Sequence, residues 1–275
     1  MTRQGFEEYL FAVFGHKTGT AKSYITGVRI IDELFLKDDV FGLNGKSITC
    51  INDHDLLKRI QEFIRTQQAL FKKGEKSFFS NISSGQRSYP GEGFCSAAVT
   101  QLINYCNYDA EEQEAWKLLE SKSKANKVTK DLRTLFQIDK EGKDVEVSTR
   151  ARLGQIYFRK MVLQNYDHKC CVTGLNVPQI LRASHIVPWA ENKRERMNPE
   201  NGLCLSATYD AAFDKHLISF DDDYRMIVSK EIKDYYTSEI TKEYFDNYEG
   251  KQIALPSLYL PSKKLLEKHR ELMIG

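Results

Sequence analysis

The chain has no apolar run near the roughly 18 residues that a membrane-spanning helix needs. Its opening Met1-Thr2-Arg3-Gln4 also lacks the apolar core of a secretory signal. Both absences point to a soluble, cytoplasmic protein with no membrane partner. Charge of one sign is missing too: 40 Lys and Arg are met by 38 Asp and Glu, for a net charge of +2. A body that coats nucleic acid by bulk charge is therefore excluded, and any contact with a polyanion would be local. The six cysteines, Cys50, Cys95, Cys106, Cys170, Cys171 and Cys204, are scattered, which fits free thiols in a reducing compartment. No segment repeats another.

What is present divides the 275 residues into two parts, a length that suits two domains. Residues 1–120 predict a mainly helical domain. Phe6, Tyr9, Leu10 and Val13 fall at helix spacing, and Tyr24, Val28, Ile31 and Leu34 repeat it. Breaks are expected at Gly15 to Gly19, Gly42 to Gly45 and through the polar stretch from Ser80 to Gly93. A further helix is expected to resume at Ser96 with its hydroxyl as cap. Residues 121–147 are charged and poor in large apolar side chains, and read as a linker. Residues 148–275 read as a second domain with a core at 170–228. A helix opens it near Ser148 and runs through Ile156, Phe158, Met161 and Val162. Cys171 to Gly174 then reads as a short strand entering a turn, and Leu181 to Val187 as a strand ended by Pro188. A polar loop leads to Leu203-Cys204-Leu205 and to a helix capped near Ser206. Ile218 to Phe220 and Met226 to Val228 read as a hairpin, and Lys263 to Met273 as a packed terminal helix.

The chemistry gathers between Cys171 and Asp223. Hydrolysis of a phosphodiester at neutral pH needs a base for the attacking water, a cation on the phosphate and help for the leaving oxygen. His185 suits the first role, because an imidazole of pKa about 6.5 is largely neutral at pH 7. Asp210 and Asp214, four residues apart, share one helix face and offer hard oxygen ligands to Mg²⁺ or Mn²⁺. Asn201 is suited to bracing the loop backbone against the strand that carries His185. Lys193, Arg194 and Arg196 lie between base and brace, where their charges would reach flanking phosphates. Arg182, three residues before His185 on a strand, is expected on the opposite face. Arg150, Arg152, Arg159 and Lys160 give the preceding helix a basic side.

The segments ASHIVPW, NGLCLSATYDAAFD and LISFDDD resemble the HNH endonuclease family in its restriction-type variant. The resemblance implies an α+β protein: a mainly helical amino-terminal domain, then a ββα-metal nuclease domain with flanking helices. It implies a DNA endonuclease of restriction or anti-phage defence type, with His185 as general base, Asn201 as brace and Asp210 at the helix metal position. For the amino-terminal domain it implies target recognition or self-association.

The place before the base, where many members carry an acidic or histidine ligand, holds Ser184, with Asp214 as the compensating ligand. The helix reads Tyr209-Asp210, making an H-N-D site. His216 follows Asp210 by six residues, about 240° around a helix. Some relatives carry structural zinc on paired CxxC motifs; Cys170-Cys171 lacks that spacing, so no structural zinc is expected. A homodimer is attractive for cutting two strands with one site per chain. Two other readings stay open: a DNA-binding or regulatory protein with a decayed site, and an RNA-cleaving, toxin-like nuclease.

Overall fold

The computed structural model describes residues 1–15, 19–121, 123–138 and 145–273, with side chains from 149 in the last stretch. The chain is α+β and clusters into two compact units, Met1–Glu114 and Ala115–Gly275. In the first unit, helices α1 (Arg3–Phe14), α2 (Gly19–Lys37), α3 (His54–Lys72), the single turn α4 (Ser88–Gly91) and most of α5 (Phe94–Glu120) carry the structure. The helix spacing foreseen for α1 and α2 is realised: Phe6, Tyr9, Leu10, Val13, Val28, Ile31 and Leu34 are buried, and Tyr24 is half-buried. Gly15 ends α1 at a φ of 82°, and Gly42 and Gly45 turn the chain at φ of 69° and 77°. The rest of the break foreseen at Gly15 to Gly19 includes residues outside those described. Ser96 lies inside α5, which starts at Phe94, and its hydroxyl donates back to the Gly93 carbonyl at 3.2 Å instead of capping the helix.

The second unit is built around a small ββα core. Strands β1 (Leu181–His185) and β2 (Gly202–Ser206) pair antiparallel, with Leu181 opposite Ser206 and His185 opposite Gly202. Helix α8 (Ala207–Asp214) follows β2 with no intervening loop and packs on both strands. On the other side, α7 (Val145–Asn165) presses Phe158 and Val162 against the strands. Gly202 makes that approach possible: a Cβ there would stand 2.3 Å from Val162 Cγ2 and 3.0 Å from Phe158 Cζ. Strands β3 (Ile218–Phe220) and β4 (Met226–Val228) form the expected hairpin. The short helices α9 (Lys230–Lys233) and α10 (Glu239–Asp246) follow, and α11 (Lys263–Glu271) closes the unit against β3. No described helix is long and apolar enough to cross a membrane.

Four local expectations need correcting. The stretch 121–147, read as a linker, contains helix α6 (Ala125–Leu135), which buries Val128 and Leu132, with Phe136 and Ile138 buried just beyond it. Its charges occupy one side, while the sparse apolar residues at helix spacing form a stripe that suffices to dock it. Residues 139–144 of the same stretch lie outside those described. Cys171 to Gly174 is a turn and not a strand: Gly174 N–H donates to the Cys170 carbonyl at 2.8 Å, with Gly174 at a φ of 73°. Ser206 does occupy the position before α8, but its buried hydroxyl makes no capping bond. Helix α7 begins at Val145, so Ser148 lies within it rather than ahead of it.

Candidate functional site

A cavity of about 620 Å³ opens over the ββα core, walled by β1, by Phe158 and Arg159 of α7, and by the residues around the end of α8. His185, Ser184, Arg182, Asp210, Asp214, Trp189, His216 and His269 all line it. The histidine at the end of β1 is thereby brought onto the same cavity as both helix aspartates.

His185 is clamped as an aromatic. Its ring stacks on Phe158 with centroids 3.7 Å apart and planes 11° from parallel, and the Trp189 ring meets it edge-on at 5.6 Å. Burial drives its pKa down to about 4, with the Arg196 carbonyl opposing weakly. The imidazole is therefore neutral throughout the neutral range. Its Nε2 faces the Arg196 carbonyl oxygen at 3.4 Å. A carbonyl only accepts, so that contact favours the proton on Nε2 and leaves Nδ1 as the lone-pair nitrogen. A neutral imidazole with one open lone pair is the form that can take a proton from water.

Asn201 is wholly buried and uses its amide in three bonds. Its Oδ1 accepts from Val187 N–H at 2.8 Å, and its Nδ2 donates to the carbonyls of Val187 at 3.1 Å and Glu195 at 3.0 Å. The Asn201 carbonyl also accepts from Ile186 N–H at 3.0 Å. One side chain thus pins both ends of the loop that follows His185. Trp189 and Arg196 finish the clamp: Arg196 Nε donates to the Trp189 carbonyl at 2.7 Å and its guanidinium lies 5.3 Å over the indole.

Beside His185 on β1, the buried Ser184 hydroxyl donates to Asp210 Oδ1 at 2.5 Å. Ser184 is therefore spent on orienting Asp210 across the strand–helix junction, a use its place in the sequence did not disclose. Partial burial and the neighbouring Asp210 carboxylate raise the pKa of Asp214, while His216 opposes the shift. The two carboxylates, four residues apart on α8, both line the cavity. Tyr209 is packing: fully buried, it stacks on Tyr244 at 5.2 Å and donates its hydroxyl to the Tyr244 carbonyl.

The basic residues sort differently from their sequence order. Lys193 and Arg194 are exposed on the loop, and Arg196 is held by Trp189; none of the three lines the cavity, whereas Arg159 and Arg182 do. Arg159 donates to the carbonyls of Leu181 at 2.9 Å and Pro178 at 3.2 Å, and Arg182 to those of Gln179 at 3.2 Å and Leu181 at 3.0 Å. Arg182 was expected to face away from His185, but the cavity follows the strand and takes in both. Burial, then the Arg182 charge, lower the Arg159 pKa. His269, 53 positions from His216 and without any motif around it, is the residue the sequence did not signal: it is buried, and stacks on Phe213 at 3.8 Å.

Among the described residues no group of three or more His, Cys, Asp or Glu side chains is arranged to hold a metal ion. The two carboxylates on one wall nevertheless fit an ion such as Mg²⁺, which takes one or two protein oxygens and fills its other positions with water and substrate phosphate. Residues 170–221 match a family model described as HNH endonuclease. No curated protein matches the chain.

Proposed function

We propose, from the premise that the chain carries an HNH endonuclease domain at residues 170–221, that it is a divalent-metal-dependent DNA endonuclease. The observation that carries this reading is the shared cavity, with a neutral, lone-pair imidazole at His185 and the carboxylates of Asp210 and Asp214. His185 takes the proton from the attacking water through Nδ1. Asn201 holds the loop so that Nε2 stays against the Arg196 carbonyl and Nδ1 stays open. Ser184 fixes the Asp210 carboxylate. A divalent cation, when held by Asp210 and Asp214, supplies charge neutralisation at the phosphate and the leaving oxygen. Arg159 and Arg182 contribute fixed positive charge along the cavity, and Lys193 and Arg194 reach phosphates farther along the strand. Trp189 covers the imidazole and limits water around it.

The motif segments that resemble restriction-type members support a restriction or anti-phage role, and cutting both strands favours a homodimer. The direct test is incubation of plasmid and phage DNA with the chain and Mg²⁺ or Mn²⁺, beside an RNA of the same sequence. Nicked or linear DNA bearing 5′-phosphates is expected, abolished by EDTA and reduced at least about 10²-fold by His185→Ala. Cleavage of RNA alone would move the reading to a ribonuclease. Tight DNA binding with no cleavage under any divalent ion would assign a decayed site.

A further inference from the structure

The wall of the cavity opposite β1 holds a hydrogen-bonded chain that the roles above leave unused. His216 follows α8 at a φ of 55°, the left-handed region. Its N–H donates to the Phe213 carbonyl at 2.8 Å and the next N–H, of Leu217, donates to the Ala212 carbonyl at 2.9 Å. This is the Schellman ending of a helix, and the position His216 fills is usually glycine. A side chain there carries a backbone cost, and histidine tolerates the region better than most residues.

The hydrogen bonds settle where its protons sit. His269 Nε2 lies 3.0 Å from the Phe213 carbonyl oxygen and 3.1 Å from His216 Nδ1, while His269 Nδ1 lies 2.9 Å from the Ser219 hydroxyl. The carbonyl can only accept, so His269 carries its proton on Nε2 and shares it between Phe213 and His216. His269 Nδ1 then accepts from Ser219. His216 Nδ1 must also accept, because two N–H groups cannot face each other. With Nδ1 accepting, His216 carries its proton on Nε2, the nitrogen turned away from His269. Burial, with the neighbouring His216 second, drives the His269 pKa down to about 4, which keeps the His269 ring neutral at pH 7. Both rings line the cavity, and His216 Nε2 has no hydrogen-bond partner among the described residues.

We propose that His216 donates Nε2–H to an oxygen of the phosphodiester held in this cavity, and that His269 and Ser219 are positioning residues that set its tautomer. The proposal rests on the nuclease reading for its substrate. It adds a hydrogen-bond donor, on the side of Asp214, to the groups already assigned. Such a donor gains strength where developing charge is shielded from water.

Two measurements test it separately from cleavage. In the first, ¹⁵N-histidine-labelled full-length chain is followed by NMR in EDTA at pH 7.5, with His216→Gly used to identify the His216 signals. The expected result is His216 protonated on Nε2, with that resonance shifted and protected from exchange when duplex DNA is added. His269→Gln should return His216 to a mixture of tautomers. In the second, single-turnover cleavage by His216→Gly should fall by about 10²-fold with the affinity for DNA changed less than about threefold. Glycine suits the left-handed backbone, so this variant is expected to fold. His216→Gln, which retains a donor near the same point, should recover part of the rate. A His216 protonated on Nδ1, or His216 signals that ignore DNA, would overturn the proposal even if the enzyme cuts. If the parent chain fails to cut yet His216 responds to DNA, the contact stands and the nuclease reading falls.

Discussion

Asn201 shows how one buried amide can matter more than a charged group. Each of its polar atoms meets a backbone partner, and no water competes for them. Asn201→Asp keeps the shape but removes both N–H donors and sets a carboxylate against the Val187 and Glu195 carbonyls. A loss of about 2–4 kcal/mol is expected in urea unfolding, since buried carbonyls are left unpaired beside a charge. His185 gives a second expectation at this scale. Because burial lowers its pKa to about 4, protonation of the base should not slow cleavage between pH 8 and 6. An acidic limb centred near the ordinary histidine value would show that the imidazole is more exposed to water than its stacking on Phe158 indicates. Both residues could be singled out as candidates from the sequence, because a strand histidine and an Asn-Gly step at the spacing of the HNH resemblance are local features. The use of Ser184 as a donor to Asp210 was not legible, since it depends on β1 and α8 meeting 26 positions apart.

At the scale of elements, the site depends on how closely α7 approaches the strands. The hydrogen at Gly202 is what lets Val162 and Phe158 come down on β2, and Phe158 is also the ring beneath His185. Gly202→Ala would push a methyl into Val162 and displace that ring. Overpacking of this kind costs about 1–3 kcal/mol, and the expected outcome is a lower melting temperature together with a cleavage rate reduced more than binding. A crystal structure of the variant with an undisturbed Phe158–His185 stack would contradict it. Strand β1, α8 and the hairpin were readable from their own periods, whereas β2 was read only as an apolar run leading into α8, because all five of its residues are buried and no alternation marks it. Helix α6 was not readable, because charge dominates its composition and, of its buried residues Ala125, Val128, Thr129 and Leu132, only Val128 and Leu132 are large and apolar. The short turn at Cys171 was misread for the converse reason: an apolar pair can be buried without being a strand when neighbours cover it.

At the scale of the molecule, the second unit begins well before the sequence boundary at residue 148. Trp116 lies 5.4 Å from Tyr157, Phe136 lies 4.9 Å from the same ring, and α6 packs beside the turn that carries Asn201. A fragment covering 115–275 should therefore unfold at a higher temperature than one covering 148–275, which loses the burial of Val128, Leu132, Phe136 and Ile138. Equal melting temperatures by calorimetry would mean that α6 adds nothing to the unit.

The same unit should weaken in acid. His185 and His269 are both held near a pKa of about 4 in the fold and titrate near 6.5 when unfolded. Between these values the unfolded chain binds more protons, so stability falls as pH drops from about 6.5 to 4, by about 1.4 kcal/mol per pH unit for each histidine. In urea titrations at pH 7, 6 and 5, His269→Gln should reduce that slope.

The sequence by itself determined the α+β class, the strand that ends in His185, helix α8 and the β3–β4 hairpin, and it supplied the candidate site residues, because periodicity and motif spacing act over short stretches of chain. Only the tertiary structure decided how those residues are served. It assigned Ser184 to Asp210, Phe158 and Trp189 to the faces of His185, Arg159 and Arg182 to the cavity, and His269 to His216. Each of these pairings joins distant positions through packing and shared hydrogen bonds, and such contacts leave no pattern along the chain.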